Sequence, residues 1–473
     1  MKDATTTALA ARCAAVRWDA LPSGVRERAK DLVLDHLGVA LRGSREPSST
    51  IALEAARLLN GDGGSASIVG HDMRMRAPWA AMANGTAAHA IELDDVTSES
   101  SLHPGVAVIP PALALAEERS ATGTLFLEAV VAGYEATMRI GNALGAASAY
   151  ERGFHPTGVA GAFGATAAVA RLMCLDAETT ARAFGVAGGM ASGSLEYLSD
   201  GSWTKRLNPG WAAHAGIAAA QLAATGFRGP VTAIEGPLGL LHAYSDAPAR
   251  DRLAPSAEDD WALMTVSIKP YACCRYNHGL IDGVLELANR HRITLAEVVR
   301  IRLGVLSAGA ILVSEPIEAK RAPRNVVDAQ FSAPFAAAVA LTRHAAGIAE
   351  YTQANVEDEG IRGLMARTDC VRDDSLDAAY PTRWPSWVEI ELRGGRTVRA
   401  SVDDATGEPA NPIGRDALLK KFHGLAADVI ARPEELATRV LSLESETDVG
   451  RIGTLLRDAA SHDRTARAVV SSR

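Results

Sequence analysis

The sequence predicts a mainly α fold, a large helical unit joined to a smaller α+β unit, and three observations predict it. Up to about residue 265 the chain is dominated by Ala, Leu, Val and Gly at helical spacing, with little β-branched alternation. Beyond that point Val299-Arg300-Ile301-Arg302-Leu303-Gly304-Val305 alternates at the period of a half-buried strand. Two further alternating runs, Trp387 to Arg393 and Arg396 to Val402, flank Gly394-Gly395, which is the pattern of a hairpin.

The elements follow in order. Between Pro22 and Gly43 the residues Val25, Ala29, Leu32, Val33, Leu37 and Ala40 fall on one side of a helix that Gly43 can close. Pro78 suits the first turn of a helix through Trp79, Met82 and Ala90, because a proline there gives up no needed N–H bond. The end of that helix delivers Glu92-Leu93-Asp94-Asp95. Further helices are expected at Leu125 to Leu144, Gly158 to Met173, Ala177 to Met190 and Trp211 to Ala224, rich in small residues that let backbones approach. The smaller unit adds helices at Leu280 to Ala288 and Pro334 to Leu341. The tail from Asp416 to Arg473 is again helical and is expected to pack on the first unit.

Composition narrows the function. At 473 residues the chain is roughly three times a usual domain, so one core is not expected. Lys and Arg total 48 against 56 Asp and Glu, a net charge of -8, which leaves no cationic excess to neutralise nucleic-acid phosphates. No run of about 18 uncharged apolar residues occurs, and Met1-Lys2-Asp3-Ala4 does not open a signal-peptide core, so a cytoplasmic protein with no membrane partner is expected. Five cysteines, Cys13, Cys174, Cys273, Cys274 and Cys370, include no CxxC pair. Cys273, Cys274 and His278 resemble a metal cluster only superficially, since adjacent cysteines point apart and no second ligand pair exists. The glycines around Gly161 and Gly164 lack the Lys-Ser/Thr of a phosphate loop and are expected to serve helix packing.

Four segments set an ionisable residue beside Gly or Pro at a helix end. Glu92-Leu93-Asp94-Asp95 precedes His103-Pro104-Gly105, and Gly153-Phe154-His155-Pro156-Thr157-Gly158 repeats the His-Pro arrangement before another helix. Each proline can start a helix and leave its histidine at an electropositive N-terminus, near a carboxylate held by backbone N–H groups. Lys205-Arg206-Leu207-Asn208-Pro209 sets two cations before what reads as a Pro-started helix. Lys269-Pro270-Tyr271, leading to His278, is expected as a loop. These groups suit proton movement next to a carboxylate, where a base takes the proton and cations or N–H groups stabilise the resulting charge. Each also has a structural reading: a His before Pro caps a helix, Lys205-Arg206 is a solvated pair, and Asp94-Asp95 is a cap or, less readily, a divalent-ion site.

Taken together the segments resemble the MmgE/PrpD family of 2-methylcitrate dehydratases and cis-aconitate decarboxylases. The resemblance is carried by Asn84-Gly85-Thr86-Ala87-Ala88-His89-Ala90 leading to Asp94-Asp95, by His103-Pro104-Gly105, and by Arg152-Gly153-Phe154-His155-Pro156-Thr157-Gly158. It continues through Lys205-Arg206-Leu207, Pro209-Gly210-Trp211-Ala212-Ala213-His214, Gly226-Phe227-Arg228-Gly229-Pro230, Lys269-Pro270-Tyr271 with Cys273-Cys274, and Ala329-Gln330-Phe331-Ser332. It implies a helical domain from both chain ends, residues 1–265 and 405–473, an inserted α+β domain at 266–404, and a homodimer. It also implies an active site at the domain junction with no metal, iron–sulfur cluster or other cofactor. Asp94, His103, His155, Lys205 and Lys269 are carried over as catalytic: His103 and His155 for proton transfer at carbon, the two lysines for carboxylates, Asp94 to orient a base or a substrate hydroxyl. Glu92, Arg206, Tyr271 and His278 are expected to bind substrate.

The implied activity is a cofactor-independent lyase on a small polycarboxylate, with dehydration of a hydroxy acid resembling 2-methylcitrate favoured. A cis-aconitate-type decarboxylase and an epimerase or isomerase of a dicarboxylate are the alternatives. Where many relatives read Asp-Phe-Asp-Asp-Thr, this chain has Glu92-Leu93-Asp94-Asp95-Val96, and Asn208 stands where His is frequent. A non-catalytic ligand-binding homologue is the remaining reading those departures leave open.

Overall fold

The computed structural model describes residues 5–258 and 260–460, so the last part of the expected helical tail, 461–473, lies outside the described residues. Of the chain, 58% is helical and 9% is strand. The principal helices are α1 (Ser23–Gly43), α2 (Ala77–Ala88), α3 (Gly105–Glu118), α4 (Gly123–Leu144), α5 (Pro156–Leu172), α6 (Ala177–Gly188), α7 (Thr204–Ala224), α8 (His278–His291), α9 (Ala333–Arg343), α10 (Arg415–Ala426), α11 (Pro433–Leu441) and α12 (Gly450–Arg457). One sheet is formed by β1 (Val298–Val305), β2 (Thr368–Arg372), β3 (Ser386–Leu392) and β4 (Thr397–Val402). No helix of the described residues is long and apolar enough to cross a membrane.

By its contacts the chain divides into two compact units, the larger holding the described residues up to Ala90, Asp94–Val266 and those from Gly414 onward, the smaller Ile91–Leu93 and Ser267–Ile413. In the larger, α4 and α5 are buried almost all round, as expected of helices with no polar face. Their neighbours approach closely because glycine and alanine leave room: a Cβ on Gly164 would strike the Thr137 hydroxyl, and one on Gly216 the side chain of Ala165. The α1 stripe of Val25, Ala29, Leu32, Val33 and Leu37 is buried as its spacing predicts, each large side chain contributing about 1.5–3 kcal/mol. The end of α1 differs from expectation. Gly43 is the last helical residue and not a left-handed stop; a Cβ there would land on the Ala87 carbonyl of α2.

A second difference concerns α7. It starts at Thr204, so Lys205 and Arg206 lie in its first turn and Pro209 lies inside it, not at its start. Proline removes only the bond to the Lys205 carbonyl near the helix end. Just beyond it Gly210 lies flat against α2, where a Cβ would meet the Met82 carbonyl, and this packing carries the helix through the proline. The two His-Pro starts are as expected, with Pro104 and His155 as the N-cap residues of α3 and α5.

In the smaller unit the strand order is β2-β1-β3-β4, with β1 parallel to β2 and antiparallel to β3, and β3 antiparallel to β4. Ile301 pairs with Ile390 and Leu303 with Val388. Gly394 and Gly395 turn the hairpin at φ 85° and 80°, a region that glycine enters without strain. Helix α8 covers β3 and β4 through Gly279 and Gly283, which admit Ser386 and Val388. Cys273 and Cys274 are buried, and burial pushes the Cys273 thiol up to about 12, which suits packing and not nucleophilic or metal chemistry.

Candidate active site

Three chain segments of the larger unit meet at one carboxylate. Helix α2 ends at Ala88 with His89 as its C-cap, and five residues on Asp94 turns back so that one oxygen, Oδ2, lies 2.7 Å from His89 Nδ1 and 2.9 Å from His103 Nδ1. His89 and Asp94 are buried, and the His103 side chain is 12% exposed, the most accessible of the three. His103 Nδ1 also lies 2.8 Å from the backbone oxygen of Asp95. A carbonyl oxygen only accepts, so this ring nitrogen carries a hydrogen and neutral His103 keeps its lone pair on Nε2. His103 is fixed from its other side by Thr157 of α5, whose Oγ1 accepts its backbone N–H at 3.1 Å.

His155 joins the same cluster. Its ring stacks on His89 with centroids 5.8 Å apart, and His89 is 4.9 Å from His103 at a steep angle, so the three imidazoles stand in a row with His89 in the middle. Asn208 of α7 places Nδ2 3.1 Å from His155 Nδ1, and Tyr197 packs its edge against the His155 ring. Lys205 lies one turn before Asn208, on the same face of α7.

Burial pushes the Asp94 carboxyl up, but the charges and hydrogen bonds of His103 and His89 together outweigh it and hold Asp94 well below the usual carboxylate range. An ionised Asp94 favours a proton on His103. Asp95, its neighbour, behaves oppositely. It accepts from the Gly105 N–H at 3.0 Å and from the Tyr134 hydroxyl at 2.6 Å, anchoring the start of α3 beside His103. Burial, with the nearby charges of Asp94 and Asp35, raises it to about 7 against the pull of Tyr134, Gly105 and the Arg28 guanidinium.

That shift predicts a pH effect on stability. Asp95 titrates near 4 when unfolded and near 7 when folded, so between these values the folded state holds a proton that the unfolded state has lost. Its contribution is full below about pH 4 and is lost as pH rises through about 7. Thermal melts should therefore show wild type leading Asp95→Asn by more at pH 5 than at pH 8. A lead that widens with pH would contradict the assignment.

The nine residues singled out in the sequence fall into separate groups. Asp94, His103 and His155 converge, with Lys205 on the face that supplies Asn208. Arg206 is turned to Ser48, with Nη1 2.8 Å from its hydroxyl, so it ties the helix Pro47–Asn60 to α7. In the smaller unit Lys269 is 1% exposed, its Nζ 3.2 Å from the Glu92 carbonyl and 3.4 Å from Glu92 Oε2. Glu92 adopts φ 56°, a left-handed conformation that a residue with a Cβ rarely takes. Tyr271 donates to Asp282 at 2.5 Å and packs on the buried ring of His278, whose Nε2 faces the Cys273 carbonyl. His89, Asp95 and Asn208 were not among the expected site residues. A histidine at the end of a helix five residues before Asp94 was the available signal for the first; the other two depend on contacts across the fold.

His89, Asp94 and His103 could by spacing hold a metal ion, their ligand atoms lying within 4.8 Å of one another. The donor chemistry argues for hydrogen bonding instead, since the His103 nitrogen that faces the group carries a hydrogen toward the Asp95 carbonyl.

Comparison with known proteins bears on this arrangement. The MmgE/PrpD N-terminal domain matches residues 7–252 and the MmgE/PrpD C-terminal domain residues 271–447. The chain belongs to the MmgE/PrpD family. A cis-aconitate decarboxylase-like protein of Aspergillus oryzae is 28% identical over 461 residues, covering 92% of this chain and 94% of that protein. A cis-aconitate decarboxylase of Aspergillus terreus is 28% identical over 468 residues, with 93% of each chain covered. The human cis-aconitate decarboxylase is 26% identical over 461 residues, with 92% of this chain and 91% of that protein covered. Family members of this kind carry lyase activity, and the MmgE/PrpD matches enclose every residue of the imidazole cluster.

Proposed function

We propose that this chain is a cofactor-independent lyase acting on a small polycarboxylate, with His103 exchanging a proton at a carbon next to a carboxylate. The observation that carries the reading is the single Asp94 oxygen shared by His89 and His103, which fixes the tautomer of His103 and favours its protonated form. Loss of carbon dioxide from an unsaturated acid of the cis-aconitate type, the activity for which the relatives are named, fits this directly. The electron pair of the broken C–C bond passes into the neighbouring unsaturated acid, and His103 Nε2 delivers a proton to carbon. Lys205, on the face of α7 that supplies Asn208, contributes a cation for a substrate carboxylate. Dehydration of a 2-methylcitrate-like acid is the second reading. It requires a base for the carbon-bound proton and a donor for the leaving hydroxyl, and the second imidazole, His155, favours it.

A homodimer is part of the proposal. Trp203, Leu207 and Trp211 recur every fourth residue at the start of α7 and are 45%, 38% and 44% exposed, an apolar face that a second copy would cover.

Purified protein in heavy water, given cis-aconitate and 2-methylcitrate in turn and followed by NMR, tests the chemistry. Loss of carbon dioxide with one deuteron added at carbon is expected for the first reading, and loss of water for the second. Deuteration with mass otherwise retained would mean epimerisation instead. Activity should survive a chelator; activity lost and then restored by a divalent ion would overturn the cofactor-free part. Light scattering should give twice 49.5 kDa.

A further inference from the structure

His103 and His155 differ in what faces their Nδ1 atoms. His103 Nδ1 faces acceptors, the Asp95 carbonyl and the Asp94 carboxylate. His155 Nδ1 faces a donor, Asn208 Nδ2, at 3.1 Å. An amide NH2 group only donates, so the His155 nitrogen that faces it holds a lone pair and neutral His155 carries its hydrogen on Nε2. In their neutral forms the two imidazoles are therefore opposite tautomers: His103 keeps its lone pair on Nε2, and Nε2 of His155 is an N–H.

The His155 ring has little freedom to exchange these roles. The residue is 2% exposed, its backbone N–H is bonded to the Gly193 carbonyl at 3.0 Å, and its ring is packed between His89 and Tyr197. Asn208 is half-buried and closely approached by backbone, since a Cβ on Gly158 would come within 3.3 Å of the Asn208 Cβ and one on Gly193 within 3.5 Å of Nδ2. A proton added at His155 Nδ1 would set two donors against each other.

We propose that Asn208 is a positioning residue that locks His155 as the Nε2–H tautomer, so that His155 donates a hydrogen bond to charge developing on the substrate while His103 alone exchanges the proton with carbon. The inference rests on the proposed lyase reading and revises its division of labour. A neutral imidazole N–H is a very weak acid, so His155 keeps its proton throughout, and one proton moves, between His103 Nε2 and carbon. A neutral donor aimed at an oxygen where charge accumulates stabilises the transition state more than the ground state.

The test has two readouts. In protein labelled with 15N-histidine, two-bond 1H–15N correlation separates Nε2–H from Nδ1–H tautomers without any substrate, and a His155→Gln sample identifies the signals. Wild type should show neutral His155 as Nε2–H and neutral His103 as Nδ1–H. Asn208→Asp, which offers an acceptor, should turn His155 to an Nδ1–H form; Asn208→Leu, which offers nothing, should give a mixture. Wild-type His155 found as Nδ1–H overturns the lock, whether or not any acid is turned over. Turnover is the second readout: Asn208→Asp should lower kcat about 100-fold, the cost of losing one aimed donor, with KM changed far less and the melting temperature preserved. Reversed tautomer with undiminished kcat overturns the donor role. A wild type inactive on every acid, with the tautomers as assigned, would overturn the lyase reading and leave the lock standing.

Discussion

Replacing His103 by Ala lowers kcat about 1,000-fold while leaving the melting temperature within a few degrees of wild type. The His103 side chain is 12% exposed, and its Nδ1 faces Asp94 and the Asp95 carbonyl, so it stands at the margin of the packed interior and not within it. What is lost is the group placed to hand a proton to carbon. Asp94→Asn should follow in the same direction by a different route. An amide still fits beside the two rings, but it carries no charge to favour a proton on His103, so kcat falls and its dependence on pH moves to lower pH. A His103→Ala enzyme that retains full turnover but melts far earlier would show this histidine to be structural.

Changing Gly43 to Ala destabilises the protein by about 1–3 kcal/mol or more and lowers activity as well. Helix α1 meets α2 at this position so closely that a methyl group would overlap the Ala87 carbonyl, which is backbone and cannot rotate away. The two helices would have to separate. Ala87 stands two residues before His89, so the displacement would pass to the imidazole that shares Asp94 with His103. Calorimetry and steady-state kinetics on Gly43→Ala check both parts, and an unchanged melting temperature would mean that the helices can part without cost.

Much of the architecture was legible because it is written in local patterns. The buried side of α1 follows from residues three and four apart, the hairpin of β3 and β4 from strict alternation about Gly394-Gly395, and the starts of α3 and α5 from a proline's fixed backbone angle. The same reasoning misplaced the start of α7. It treated Pro209 as a boundary, whereas the packing of Gly210 on α2 compensates for one missing bond. It also took Lys205 and Arg206 together, although neighbours on a helix point about 100° apart. Arg206 accordingly reaches Ser48 while Lys205 shares a face with Asn208.

The amino-acid order alone determined where helices and strands form, which faces are apolar, and that two histidines precede helix-starting prolines, since each depends on residues within a turn or two of one another. Only the folded chain decided that Asp94 would serve two imidazoles, that Asp95 would hold the corner between His103 and Gly105, and that Asn208 would donate to His155. Those partners lie between 5 and 53 residues apart, and helix packing sets their meeting, which no local pattern encodes. A hydrogen-bond partner decides a tautomer, so the chemical character of each histidine was fixed by its three-dimensional surroundings.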